Sequence, residues 1–324
     1  MKILVVGCGR MGMSHGFLSA ALIGKSRVVF VDTNFVSRLV IKVLGFEAYG
    51  TIDKAVKNNS FSHGVVTTPT GSHAAVINSL NTVGIKKLFV EKPFTANVTD
   101  SRNLLEDCAE QSVVGQVGYV YRFQQNIMEA KAIIASGSLG RIVSYNAQLI
   151  GNVVRSKGDK SWRTSERTGG GVVRDFGSHL IDTVNYLFDA TEIIENIVRE
   201  KALSHDTEDK CRWTLNYGDY LGSCFVNWTD KSVRKATLTV EIHFEKGKVI
   251  LSGNRLDIES DKLMIKPAIP SSVKFYLRGE EFSRQMEVFL GLTNHSKWSL
   301  PCDFSDAFEV DRIIGELKKS ELLS

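Results

Sequence analysis

Short, unbroken apolar runs punctuate the first third of the chain. Ile3 to Val6, Arg27 to Val31, His63 to Thr67, Lys87 to Val90 and Val113 to Val117 are rich in valine and isoleucine. They have the length expected of parallel strands buried on both faces. Between them the pattern shifts toward helical spacing, at Met13 to Ile23, Phe35 to Val43, Ile52 to Asn58, Gly71 to Val83 and Ser101 to Gln111, with a further short strand at Glu47 to Tyr49. Strands alternating with helices, without internal repeat or linker, predict an α/β fold built on a doubly wound parallel sheet.

The pattern changes after Tyr119-Val120-Tyr121-Arg122-Phe123. Gln125 to Ala135 reads as a helix closed by Gly137, and Ile142 to Ile150 as a long strand. Arg155 to Arg167 is polar and loop-like, and three glycines, Gly169 to Gly171, lead into a helical stretch at Asp175 to Leu187. Alternating segments follow at Ile193 to Leu203, Cys211 to Tyr217, Tyr220 to Trp228, Ala236 to Phe244 and Lys248 to Leu251, then closing helices at Phe282 to Leu292 and Asp306 to Leu317. Strands joined by short turns predict a second, α+β domain with a large, open, mostly antiparallel sheet. The expected division is residues 1–120 and 121–324, with the last helix free to pack back on the first domain. The uncovered face of the broad sheet is left to solvent, to substrate or to a second subunit.

Composition narrows the function. A net charge of +4 over 324 residues, with no basic cluster interleaved with aromatics, argues against nucleic acid as a partner. The five cysteines, Cys8, Cys108, Cys211, Cys224 and Cys302, are scattered and never paired as C-x-x-C. That predicts reduced thiols in a cytoplasmic protein and no zinc site. No secretory leader is read at the start, and no apolar run is long enough to span a bilayer. Triplets such as Asn227-Trp228-Thr229 are then chance glycosylation matches.

Candidate chemistry begins where the first strand ends. Gly7-x-Gly9-x-x-Gly12, with Arg10 and Met11 inside it, lies between a strand and a helix, as a dinucleotide-binding fingerprint requires. The pyrophosphate of such a ligand sits on the helix N-terminus. Asp32 ends the second strand about 20 residues further on, where an acidic residue accepts from ribose hydroxyls and favours NAD. Arg38 nearby softens that preference and keeps NADP as an alternative. Thr68 and Lys92 also fall at strand ends, where open α/β sheets bind ligands. Lys92 is either a solvated surface lysine or a group placed to polarise a carbonyl or carry a proton. Asp175 and His179 lie four apart and share a face if helical. They are either a surface ion pair or a proton-transfer couple. Asp175-Phe176-Gly177 also spells a kinase magnesium motif, but no H-R-D loop or V-A-I-K strand accompanies it.

Taken together, Gly7-x-Gly9-x-x-Gly12, Asp32, Thr70-x-x-His73, Glu91-Lys92-Pro93, Tyr121-Arg122-Phe123, Trp162-Arg163, Gly169-Gly170-Gly171 and Asp175-x-Gly177-x-His179-x-x-Asp182 resemble the Gfo/Idh/MocA oxidoreductase family (glucose–fructose oxidoreductase and inositol dehydrogenase-like) over nearly the whole chain. The resemblance implies a Rossmann domain binding NAD or NADP. It also implies a second domain whose open sheet assembles a homodimer or homotetramer. The implied reaction is hydride transfer at a secondary alcohol of a sugar, sugar nucleotide or cyclitol. Carried over by position, Lys92, Asp175 and His179 form the catalytic set, with His179 or Lys92 taking the hydroxyl proton and Asp175 orienting its partners. Gly7, Gly9, Arg10, Met11, Gly12, Asp32, Thr68, Thr70, His73, Glu91 and Lys92 line the cofactor. Tyr121, Arg122, Trp162 and Arg163 line the substrate side, and Asp182 braces its helix. Thr70, where many members have asparagine, and Gln124-Gln125, where asparagine-proline is usual, depart from the pattern in loop detail. A non-catalytic NAD(P)-binding sensor or scaffold of the same fold is the competing reading.

Overall fold

The computed structural model describes residues 1–57, 59–159, 161–191, 193–260, 279–292 and 300–323. It divides into two units, one of Met1–Phe123 with a later stretch ending at Phe308, the other beginning at Gln124 and resuming at Glu309.

The first unit follows the alternation read from the sequence. Its elements are β1 (Ile3–Val6), α1 (Arg10–Ile23), β2 (Val28–Val31), α2 (Phe35–Val43), β3 (Glu47–Tyr49), α3 (Ile52–Val56), β4 (His63–Val66), α4 (His73–Thr82), β5 (Lys87–Val90), α5 (Val98–Glu110) and β6 (Val114–Val117). The helix expected over 52–58 thus stops at Val56, and residue 58 lies outside the described residues. The parallel strands run in the order β3-β2-β1-β4-β5-β6. This is the doubly wound order, whose reversal between β1 and β4 opens a crevice beyond the strand ends. Every residue of β1, β2 and β4 is buried, which is why these strands read as continuous apolar runs.

The second unit is built on α6 (Gln125–Ser136), β7 (Ile142–Ile150), α7 (Ser178–Phe188), β8 (Ile193–Glu200), β9 (Lys210–Asn216), β10 (Leu221–Asn227), β11 (Thr237–Phe244), β12 (Gly247–Ser252) and β13 (Arg255–Glu259). Their sheet is ordered β13-β12-β11-β7-β10-β9-β8, with β7 and β10 parallel and the other neighbours antiparallel. Burial alternates strictly along β11, so one sheet face is covered and the other is not. Helices α6 and α7 pack together, and α7 lies on β7. The open face is polar, with Asn146, Gln148, Arg212, Ser223, Thr239 and Glu241 around Phe225.

The last elements depart from the sequence reading. Helix α8 (Glu280–Phe289), read as closing the second half, packs in the first unit against α1. Its Met286, with the following Leu290, joins the core of Ile3, Val5, Phe30 and Phe89. Next, β14 (Cys302–Asp303) adds an antiparallel edge beside β6. It is followed by α9 (Phe304–Lys319) and by β15 (Leu322–Leu323), which pairs with β8. No described helix is long and apolar enough to cross a membrane.

Candidate functional site

The loop after β1 is held by its neighbours' strand ends. Gly7 donates its N–H to the Val31 carbonyl at 2.8 Å, and Thr67 Oγ1 donates to the Gly7 carbonyl at 2.9 Å. A Cβ on Gly12 would overlap that same Gly7 carbonyl oxygen, so only glycine lets α1 start this close to β1. The first intrahelical bond runs from Met13 N–H to the Gly9 carbonyl. The amides of Arg10, Met11 and Gly12 therefore precede the ladder and have no intrahelical acceptor. No side chain caps α1 and its first turn carries no acid, while the space above Gly9 is open. These features fit an anionic pyrophosphate at the helix N-terminus.

Asp32 is fixed from both sides. Its Oδ2 accepts the Cys8 N–H at 2.6 Å and its Oδ1 the Asn34 N–H at 2.7 Å. Burial, followed by the charge of Asp32, pushes the Cys8 thiol up to about 12, so Cys8 is inert. Arg38 Nη1 donates to the carbonyls of Asp32 and Thr33, each at 2.8 Å. That places a guanidinium at the same loop as the carboxylate, and so keeps both cofactor preferences in view.

Beyond β4, Thr68 accepts from Ser72 Oγ at 2.9 Å, and Thr70 opens a 3₁₀ turn to Ser72. His73 is almost fully buried, with Nε2 2.9 Å from the Thr68 carbonyl and Nδ1 3.1 Å from the Phe94 carbonyl. Its imidazole is pushed down by burial. His73 thus ties the loop after β4 to the loop after β5, shaping the crevice from beneath.

Glu91 and Lys92 follow directly on β5. Glu91 Oε1 lies 2.6 Å from His15 Nε2 on α1, and Oε2 accepts the Lys92 N–H at 3.1 Å. Burial alone would raise the Glu91 carboxyl, but the hydrogen bond and charge of His15, with Lys92, outweigh it and hold it below the usual range. An ionised Glu91 anchors the backbone from which the half-buried Lys92 side chain departs; the Lys92–Pro93 peptide is cis. His15 was not anticipated, since one histidine on an apolar helix gives no sign of its partner 76 residues away.

Tyr121 and Arg122 lie in a 3₁₀ turn, Val120–Phe123. Arg122, expected on the substrate side, is only 4% exposed. It donates to Asp306 Oδ2 at 2.7 Å and to the Pro301 carbonyl at 3.4 Å. Its charge is thereby used to hold the unit's later stretch in place.

In the second unit, Trp162 and Arg163 open another 3₁₀ turn; the Trp162 side chain lies outside what is described. Arg163 Nε donates to Asp175 Oδ2 at 2.9 Å. The helix expected from Asp175 begins differently: Val173–Gly177 forms a π turn, and α7 starts only at Ser178. Such turns widen the helix locally and recur at functional sites. Asp175 is buried in it, and His179 follows, half-buried, in the first turn of α7. Asp182, on the same helix, is fully buried.

A second residue that sequence reading missed holds this turn. Glu208, fully buried, accepts the Val173 N–H through Oε1 at 3.1 Å, and its carbonyl accepts the Val172 N–H at 3.0 Å. Its Oε2 pairs with Lys318 Nζ at 2.8 Å and Arg199 Nη1 at 3.4 Å. A Cβ on Gly171, which has φ 106°, would overlap the Glu208 carboxylate. Glu208 thus supplies a carboxylate to the amides that start the turn carrying Asp175. In the sequence it is one of several acids in a polar linker, with nothing to mark it as buried.

Residues 1–119 match the oxidoreductase family's NAD-binding Rossmann fold, and residues 127–250 match a GFO/IDH/MocA C-terminal domain. The chain belongs to the Gfo/Idh/MocA oxidoreductase family, and its first unit is that family's Rossmann domain. Among particular relatives, it is 31% identical over 154 residues to the scyllo-inositol 2-dehydrogenase (NADP(+)) IolW of Bacillus subtilis (strain 168), covering 48% of this chain and 42% of that protein. It is 25% identical over 238 residues to the glucose-6-phosphate 3-dehydrogenase of the same organism, covering 70% and 66%. The matches thus span from about two fifths to just under two thirds of those relatives' lengths. The fold is that of a levoglucosan dehydrogenase solved with NADH and levoglucosan, at a TM-score of 0.83 and 18% identity over 99% of this chain and 96% of that one.

Proposed function

We propose that this chain is an NAD(P)-dependent oxidoreductase moving hydride between nicotinamide and a secondary alcohol or ketone of a sugar, sugar nucleotide or cyclitol. The observation that carries the reading is the cofactor cradle: open α1 amides, a fixed Asp32 and an anchored Glu91-Lys92 in one crevice of a Rossmann unit. Gly7, Gly9, Arg10, Met11 and Gly12 would hold the pyrophosphate through backbone N–H groups, and Asp32 the ribose. Thr68, Thr70 and His73 would shape the nicotinamide end. The Arg38 guanidinium supports use of NADP as well as NAD. When bound, the nicotinamide accepts or supplies the hydride.

The remaining chemistry belongs to side chains. As the alcohol is oxidised, its hydroxyl proton passes to His179 or to Lys92, and the same group returns a proton in the reductive direction. Asp175, itself held by Arg163, orients its neighbours and accepts from substrate hydroxyls. Tyr121 and Trp162 complete the substrate side. Relatives acting on inositols and a sugar phosphate support this substrate class. We also propose a cytoplasmic protein that assembles as a homodimer or homotetramer through the polar open sheet face; five buried free thiols agree with a reducing compartment.

The test is a panel of sugars, sugar nucleotides and inositols offered with NAD or NADP, with formation of reduced cofactor followed by absorbance. Turnover of at least one compound, largely lost in Lys92→Ala while NADH still binds, is expected. Tight NADH binding without turnover across the whole panel would instead favour a sensor or scaffold.

A further inference from the structure

Two loops of the second unit carry more positive charge than the chain as a whole. Residues 151–167, after β7, and 228–236, between β10 and β11, hold eight lysines and arginines against three acids. Their net +5 compares with +4 for all 324 residues, so the remainder is close to neutral. The two loops are stapled together. Asn152 and Thr229 form an antiparallel bridge, Val153 N–H donates to the Trp228 carbonyl at 2.7 Å, and Asp230 N–H donates to the Gly151 carbonyl at 3.0 Å. The junction rests on the π turn. A Cβ on Gly151 would lie 3.0 Å from the Phe176 ring and 3.1 Å from Ala236 Cβ, and Phe176 meets Trp228 edge-on.

Arg155, Lys157, Lys231, Arg234 and Lys235 are all exposed. Each lies within five residues of Asn152, Thr229 or Ala236. Among the described residues none of the five forms an ion pair. The acids of the same loops are engaged elsewhere. Asp159 accepts the Ser161 N–H at 2.7 Å, Asp230 accepts the Ser232 N–H at 2.9 Å, and Glu166 pairs with Arg174 and Lys318. Five unpaired cations on fixed loops repel one another, and a bound anion relieves that repulsion.

We propose that these loops form a subsite for a phosphoryl group of the substrate, carried either as a phosphomonoester or as the diphosphate of a sugar nucleotide. The proposal rests on the oxidoreductase reading above, because the stapled loops sit on the turn that carries Asp175. Guanidinium groups bind phosphate oxygens in pairs and ammonium groups add point charge, so two arginines with three lysines suit this ligand. The aromatic rings at the staple, Phe176 and Trp228, are buried and offer no platform for stacked bases, which disfavours single-stranded nucleic acid.

Isothermal calorimetry on the full chain saturated with NADH, with inorganic phosphate and UDP as probes, reads the subsite without requiring turnover. At least one probe should bind, and Arg155→Gln/Arg234→Gln should weaken it by at least ~10-fold, as the loss of two charge-assisted contacts implies. Arg27→Gln/Lys54→Gln removes the same charge from the first unit and should leave probe binding unaltered. Should the first pair misfold, as judged by melting temperature, Lys157→Gln/Lys235→Gln replaces it. UDP binding far more tightly than phosphate assigns the subsite to a diphosphate, and similar affinities assign it to a monoester. In the turnover panel a phosphorylated compound should show a KM at least ~10-fold below that of its neutral parent, an advantage that the arginine variant loses. Failure of both probes to bind, or equal weakening in both double variants, overturns the proposal. So does an arginine variant that loses binding to duplex DNA or anionic vesicles while keeping that of UDP and phosphate. Probe binding as expected without any turnover would leave the subsite standing and count against the oxidoreductase reading. Turnover of neutral sugars without probe binding would do the reverse.

Discussion

Replacing Glu208 tests whether the turn carrying Asp175 is held from outside its own segment. In Glu208→Ala the Val173 N–H loses its acceptor and Lys318 and Arg199 lose a shared, fully buried carboxylate. Breaking a buried ion pair by removing one partner costs about 3–5 kcal/mol. The low end applies here, since Lys318 keeps Glu166 at 2.6 Å and Arg199 keeps its bonds to Ser320. Glu208→Gln retains an oxygen for the Val173 amide, a hydrogen bond worth about 1 kcal/mol, and should lose only ~2 kcal/mol of stability. At roughly 2–4 °C per kcal/mol, calorimetry should place the alanine variant about 6–12 °C below wild type and the glutamine variant about 4–8 °C below. Below the melting range, kcat should fall more than KM in the alanine variant, because a small misplacement of reacting groups slows chemistry by up to ~100-fold. An alanine variant melting with wild type, or one whose kcat is unchanged, would refute this account of Glu208.

Further outcomes follow from the same geometry. Gly12→Ala should abolish measurable NADH binding by fluorescence titration, since the added methyl overlaps the Gly7 carbonyl; retained affinity would contradict the close α1–β1 approach. Asn34→Ala removes the side-chain acceptor of the Ser37 N–H and should lower stability in denaturant melts by about 1 kcal/mol. Burial, then the charge of Lys87, pushes the His63 imidazole down to about 4. The unfolded chain then binds this proton first, so stability should fall as pH drops from about 6.5 toward 4. Glu91 acts in the same sense at lower pH, because its depressed carboxyl stabilises the fold only while ionised. Melts across pH should show this slope, shallower in His63→Gln; a slope unaltered by that substitution would count against His63 as its source.

Much of the fold was legible because its signals are local. The buried strands of the first unit read as apolar runs, and Gly7 to Gly12 with Asp32 marked the crevice by spacing alone. The strict alternation in β11 likewise announced a sheet covered on one face. What stayed hidden depends on partners far along the chain. Helix α8 has an ordinary amphipathic pattern, and nothing in it says that Met286 packs with Ile3. The amide that starts the π turn at Asp175 bonds the distant Glu208 carboxylate, and Glu91 pairs with the distant His15. An arginine beside tyrosine and phenylalanine suits a substrate contact or a structural ion pair equally, and nothing local announces that Arg122 pairs with Asp306, 184 residues away.

The most direct test of the central claim is to follow the hydride itself. NADH deuterated at the transferring carbon, incubated with ketone forms of sugars and inositols and the purified chain, should yield an alcohol that carries one deuterium by mass spectrometry. Little labelled alcohol should form with the variant that lacks the proton acceptor, His179→Asn or Lys92→Ala. With NADH carrying deuterium at both positions of that carbon, a product formed without deuterium would contradict direct hydride transfer, and labelled product formed equally by wild type and both variants would contradict a proton-transfer role for Lys92 or His179.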